Sequence, residues 1–114
     1  MNDSSILEVV NKQLDAYNNR NYETFAACYR SDIISYDLNT SEVIEEMSGS
    51  GFFKHYSDKF QENPEIHCKV TERIVSGNMV IDNERISNFE GGSHDELVIY
   101  QVDEGVISKM WFKR

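Results

Sequence analysis

From Glu65 to Lys113 the chain reads as four strand-forming runs, about 65–75, 79–89, 95–102 and 106–113. They are separated at Ser76-Gly77-Asn78, at Gly91-Gly92 and at Asp103-Glu104-Gly105. Turns this short hold consecutive strands side by side, so the runs predict an antiparallel meander. A sheet must bury one face, and the only available cover lies upstream. There, Ile6, Val10, Leu14 and Tyr17, with Leu7 and Val9 alongside, recur at helical spacing over 5–18. Ser5-Ile6-Leu7-Glu8 has the form of a capping box before them. Asn21 is suited to cap a second, short helix through Tyr29, with Phe25, Cys28 and Tyr29 on its inner face. Phe52, Phe53, Tyr56 and Phe60 mark a third helix, entered through Ser48-Gly49-Ser50-Gly51 and ending before Pro64. Between the second and third helices, 32–38 reads as a strand and 42–47 as a short partner across Asn39-Thr40-Ser41. The expected architecture is one α+β domain spanning residues 1–114.

Charge narrows the function classes. Twenty Asp and Glu against eleven Lys and Arg leave a net charge of −9. Gripping nucleic acid or an anionic membrane requires clustered cations, and the densest basic spot is only Lys109, Lys113 and Arg114. No apolar stretch is long enough to span a membrane, and the opening Met1-Asn2-Asp3-Ser4-Ser5 is polar and acidic, so a cytoplasmic protein is expected. Cys28 and Cys68 read as reduced, buried thiols. His55, His67 and His94 fall on different elements without HxxxH spacing, and no metal site is expected. The glycines form neither GxGxxG nor a P-loop, and no GxSxG elbow is present, so no cofactor is expected.

The order helix–helix–strand–strand–helix followed by a meander resembles the nuclear transport factor 2-like superfamily, which includes ketosteroid isomerases and SnoaL-like polyketide cyclases. The residues that carry the resemblance are Leu14 to Asn18, Tyr22 to Tyr29, Ile34 to Asp37, Ser48-Gly49, Gly77 to Asp82, and Ile99 to Phe112. It implies a cone-shaped, curved antiparallel sheet packed on the three helices, a cystatin-like α+β roll with a pocket at its open end. It also implies a homodimer formed through the convex face. Unrelated chemistries share such folds, so function must be argued from the site.

Similarity to ketosteroid isomerase sets Asp37 at the position of a general base, while its strand-end location equally suits a cap for the turn at Asn39-Thr40. The same similarity sets Gln13 and Val98 where that enzyme has its two oxyanion donors. Gln13 can donate and Val98 cannot, which argues against steroid isomerisation. Alternation puts Asp82 and Glu84 on one strand face with Val80, Ile86 and Asn88. They either line the pocket, raising one another's pKa, or form a solvated face partnered by Arg73, Lys69 or Arg85. The Asp/Arg/Asp trio of related epoxide hydrolases is not reproduced, because Asp82 and Arg85 have opposite parity. Tyr100 shares the inward row of Val98 and Val102, whereas the row of Trp111, Ile107 and Lys109 is open; both aromatics suit a pocket or an interface.

The expected function is a SnoaL-like pocket protein with isomerase- or lyase-type acid/base chemistry on a small apolar carbonyl or polyketide-like ligand. Asp37 would move the proton, Asp82 and Glu84 would tune it, and Gln13, Tyr100 and Trp111 would contact the substrate. The alternative is a non-catalytic dimeric ligand-binding or protein-interaction module. A cavity of about 300 Å³ or more with converging polar groups would mark the first, a filled cone with an exposed apolar sheet face the second.

Overall fold

The short turns close as their residues dictate: Gly77 (φ 57°) and Gly105 (φ 83°) adopt the left-handed backbone that only glycine enters without strain. The structure, a computed structural model, describes residues 3–113; Met1, Asn2 and Arg114 lie outside the described residues. In chain order the elements are α1 (Asp3–Asn18), α2 (Tyr22–Ala27), β1 (Tyr29–Asp37), a 3₁₀ turn (Glu45–Met47), α3 (Ser50–Glu62), β2 (His67–Ser76), β3 (Met79–Phe89), β4 (Gly92–Asp103) and β5 (Val106–Lys113). The fold class is α+β.

Four local expectations change. The sheet is mixed rather than wholly antiparallel, with order β1-β5-β4-β3-β2 and β1 parallel to β5. β1 reaches β5 only after the chain has passed through α3 and three strands, a crossover long enough for parallel pairing. The partner strand expected at 42–47 reduces to one bridge, Tyr36 to Val43, followed by the 3₁₀ turn. Ser48 ends the pairing there: its hydroxyl accepts the Ser35 N–H at 3.0 Å and donates to the Ile44 carbonyl at 2.9 Å. α1 begins at Asp3, so Ser5 lies inside its first turn instead of capping it. α2 stops at Ala27, and Tyr29 opens β1.

The core lies between the helices and the inner sheet face. Phe25 is its hub, with Tyr29 and Tyr56 at 4.9 and 5.0 Å and Phe60 at 5.2 Å between ring centroids. Gly51 lets α3 approach the 3₁₀ turn, since a Cβ there would stand 3.0 Å from the Glu46 carbonyl oxygen. All four strand pairings carry a register shift, and such bulges bend a sheet around what it covers.

One bulge decides a charge pairing. In β2, Val70 faces Glu84, but Thr71 is an extra residue, so Arg73 faces Asp82. Unbroken pairing would put Glu72 opposite Asp82, two like charges side by side. With the bulge, the Arg73 guanidinium grips the fully buried Asp82 carboxylate through two bonds, 2.7 and 2.8 Å. It also donates to Asn11 of α1 at 2.6 Å.

Removing one partner of a buried pair strands the other. Arg73→Ala should therefore cost about 3–5 kcal/mol in urea unfolding, and Arg73→Met combined with Asp82→Leu should restore most of that loss.

Candidate functional site

The apolar stripe of α1 includes one polar residue, Gln13, only 4% exposed. The Val10 carbonyl can only accept, so the Gln13 amide nitrogen must face it, at 3.0 Å. That orientation leaves the amide oxygen to accept from the Tyr29 hydroxyl at 2.7 Å. The second amide hydrogen goes to the Tyr100 oxygen at 3.3 Å, and Tyr100 donates its own hydrogen to Glu84 at 2.7 Å. All hydrogens thus run one way: Tyr29 to Gln13, Gln13 to Tyr100, Tyr100 to Glu84.

Glu84 receives that chain inside the core, 5% exposed and directly opposite Glu96 of β4, which is buried to the same degree. Burial pushes its carboxyl up, the Tyr100 hydrogen bond pulls it down, and Asp82 and Glu96 push it up again, for a pKa of about 7. The Cys68 thiol also hydrogen-bonds to Glu84, and burial drives that thiol far above its ordinary range. Asn18 fixes Cys68 by taking its N–H at 2.7 Å and donating to its carbonyl at 2.9 Å. From α3, the buried Lys59 ammonium sits over Phe89, Tyr56 and Tyr17, at 5.0, 5.2 and 5.7 Å from the ring centroids. His94 reaches Glu96 at 3.7 Å.

These groups surround a cavity of about 20 Å³, room for one water molecule, with Phe25, Val98, Met110 and Phe112 among its apolar walls. Phe112 also borders a surface hollow of about 440 Å³ lined by Asp37, Glu46 and His55.

Glu84, Gln13 and Tyr100 therefore meet in one cavity. Asp82 faces inward and is fully buried, which excludes the solvated face, yet it does not line the cavity and is instead ion-paired with Arg73. Asp37 lies in the outer hollow, where its carboxylate accepts the N–H groups of Asn39 (2.8 Å) and Thr40 (3.3 Å) and caps the turn. Trp111 lies on the opposite sheet face, stacked on Tyr36 at 5.3 Å. Alternation along β5 turns Met110 and Phe112 inward and Trp111 outward, so a substrate contact from Trp111 finds no support in this geometry. Sequence reasoning missed Tyr29, Cys68, Lys59 and Glu96 as site residues. Glu96 was within reach, because it continues the inward row of Val98, Tyr100 and Val102. Lys59 follows Tyr56 by three positions on the inner face of α3.

Both cysteines are buried and free. Among the described residues no three His, Cys, Asp or Glu side chains converge as a metal site, and no helix is long and apolar enough to cross a membrane.

No protein-family model matches the sequence, and no curated protein matches it. Solved structures do. An uncharacterised cystatin-fold protein from Novosphingobium aromaticivorans superposes with a TM-score of 0.82 at 19% identity, over 96% of this chain and 97% of the other. A candidate ketosteroid isomerase from Kribbella flavida gives 0.76 at 22%, over 96% and 76%. A candidate polyketide cyclase from Streptomyces antibioticus gives 0.73 at 16%, over 95% and 90%. The chain has the cystatin-like, nuclear transport factor 2-like fold that these similarities share.

A carboxyl pKa raised from 4.5 to about 7 costs stability as pH rises, because the unfolded chain releases the proton first. The groups facing Glu84 are Tyr29, Lys59, Cys68, Asp82, Glu96 and Tyr100. Relative to Glu84→Gln, the natural protein should lose about 3 kcal/mol of unfolding free energy across that pH window. Urea titrations at several pH values measure it, and equal pH slopes would mean that Glu84 titrates normally.

Proposed function

We propose that the protein is a small-molecule pocket protein of the SnoaL-like type that performs acid/base isomerase- or lyase-type chemistry on a small apolar carbonyl or polyketide-like ligand. One observation carries this reading: Glu84, poised near neutrality and held by Tyr100, lines a cavity where polar groups converge beside the apolar side chains of Phe25, Val98 and Met110. A base with a pKa near the working pH is ionised often enough to accept a proton and acidic enough to return it. The proton carrier is Glu84 rather than Asp37. Asp82, although paired with Arg73, still pushes the Glu84 carboxyl up by its charge, and Asp37 faces the outer hollow, where more distal parts of a ligand would lie. Binding must displace Phe112 or another wall, since a cavity of about 20 Å³ admits little more than water. The acidic balance supports no nucleic-acid partner, and two free buried thiols fit a reducing, cytoplasmic setting.

The test is exchange of the α-hydrogens of 2-cyclohexenone in deuterated water, followed by proton NMR. The protein should accelerate exchange, with a rate that rises as pH passes about 7. Glu84→Gln should lose at least ~100-fold. Asp37→Asn should retain the rate, and its loss there would return the base to Asp37. No acceleration by the natural protein would remove the catalytic reading.

The cavity of about 20 Å³ falls below the roughly 300 Å³ set out above for ligand work, and together with the apolar outer sheet face it supports a second reading, a non-catalytic dimeric module. Tyr36, Trp111, Ile99, Ile81 and Ile74 stand in direct register across all five strands, one apolar row with Ile74 63% exposed. Such a row suits a second copy of the chain. Light scattering at micromolar concentration should give a dimer mass, and Ile81→Arg should give a monomer. A monomer for the natural protein would reject the pairing.

A further inference from the structure

We propose that Lys59 is the electrophile of this cavity: its ammonium receives the oxygen of a small neutral carbonyl ligand and holds the charge that develops there. This rests on the acid/base reading of Glu84 and names the partner group that reading lacks.

Four observations lead to it. The first is position. Lys59 springs from the last turn of α3, where a long flexible side chain ordinarily extends to water, yet it is only 7% exposed. Three aromatic rings surround its ammonium. Asn63 secures the arrangement by donating to the Lys59 carbonyl at 3.0 Å and accepting the Glu90 N–H at 2.9 Å, which ties the end of α3 to the turn beside Phe89.

The second is that Lys59 belongs to two spaces. It lines the inner cavity with Glu84, and it also lines a surface hollow of about 230 Å³ with His55, Phe89 and Glu90. The side chain is therefore a wall between solvent and Glu84. A ligand that enters from this side meets the ammonium before the carboxylate.

The third is the supply of hydrogens. Tyr29 spends its hydrogen on Gln13, Gln13 spends both of its amide hydrogens on Val10 and Tyr100, and Tyr100 spends its own on Glu84. Val98, beside them, has none to give. A ligand oxygen cannot draw on this chain without breaking it, whereas an ammonium carries three hydrogens and can keep a protein partner while offering one to a ligand.

The fourth is charge. Arg73 neutralises Asp82, and Lys59 and Glu96 bring opposite charges to the same lining. When Glu84 takes a proton its negative charge disappears, and an equal charge appears on the ligand oxygen. The cavity's total is unchanged, and a cation belonging to the same lining can balance the new charge. A ligand that arrives as an anion would add a charge with no counterpart, so the class indicated is neutral.

The step balances without a co-reactant. The ligand's α C–H bond breaks, and the proton passes to the Glu84 carboxylate. The bonding pair forms a carbon–carbon double bond as the carbonyl π pair moves onto oxygen beside the Lys59 ammonium. Return of the proton from Glu84 to another carbon of the extended enolate regenerates the carbonyl and completes an isomerisation.

The experiment compares Lys59→Met, Lys59→Arg and Glu84→Gln in the 2-cyclohexenone exchange assay, with circular dichroism melts to check folding. It adds 4-nitrophenol, whose visible absorbance reports ionisation. At a pH where the free phenol is mostly protonated, the natural protein should bind it as the phenolate. Lys59→Met should exchange at least ~100-fold more slowly and bind the phenol uncharged, while Lys59→Arg keeps the phenolate signal. Full exchange and phenolate binding by Lys59→Met, with Glu84→Gln inactive, would overturn the role of Lys59 and leave the acid/base reading standing. No exchange by the natural protein would end both. If Lys59→Met does not fold, the natural protein decides: nitrophenol bound in its neutral form overturns the proposal.

Discussion

The hydrogen bond from Tyr100 to Glu84 closes a chain that joins α1, β1, β4 and β3, segments far apart in sequence. Each member has spent its hydrogens in one direction, so none can turn without leaving a buried polar atom unmatched. α1 is thereby located on the sheet by polar geometry as well as by its apolar stripe. Hydrocarbon packing tolerates small slips of a helix along a sheet; a directed chain of hydrogen bonds does not. The rest of the site follows from that registration. Asn18, at the far end of α1, can hold both sides of the Cys68 backbone, and Asn11, near its middle, can meet Arg73.

The interior is electrically economical for a protein of net charge −9. Of the three acidic groups that face inward from β3 and β4, Asp82 has a bidentate arginine, and Glu96 shares its lining with Lys59 and lies near His94. Glu84 has instead a tyrosine and a thiol, donors that soften its burial without neutralising it. The difference separates a carboxylate that holds the fold together from one able to exchange its proton.

Much of this was legible in the residues. Period-two alternation grouped Asp82 and Glu84 on one strand face with Val80 and Ile86 and set Tyr100 in the row of Val98, and helical spacing found the core faces of α1 and α3. These are local signals, and burial of one face enforces them. The parallel seat of β1 on β5 was not legible, because no turn connects those strands and hydrophobic pattern does not encode which edge a distant strand joins. Nor was the bulge at Thr71, which reverses the parity of the rest of β2 and thereby chooses Arg73 over Glu72 as the partner of Asp82. The double role open to Asp37 was recognised, but the sequence could not weigh two backbone N–H groups in its own turn against a distant cavity.

That extra residue in β2 has an effect beyond its salt bridge. β2 is an outermost strand, and its free side offers backbone donors and acceptors to any extended chain that passes. A kink midway breaks the even spacing that a visiting strand needs to zip along the whole length. The irregularity that seats Arg73 thus also guards the molecule against edge-to-edge aggregation.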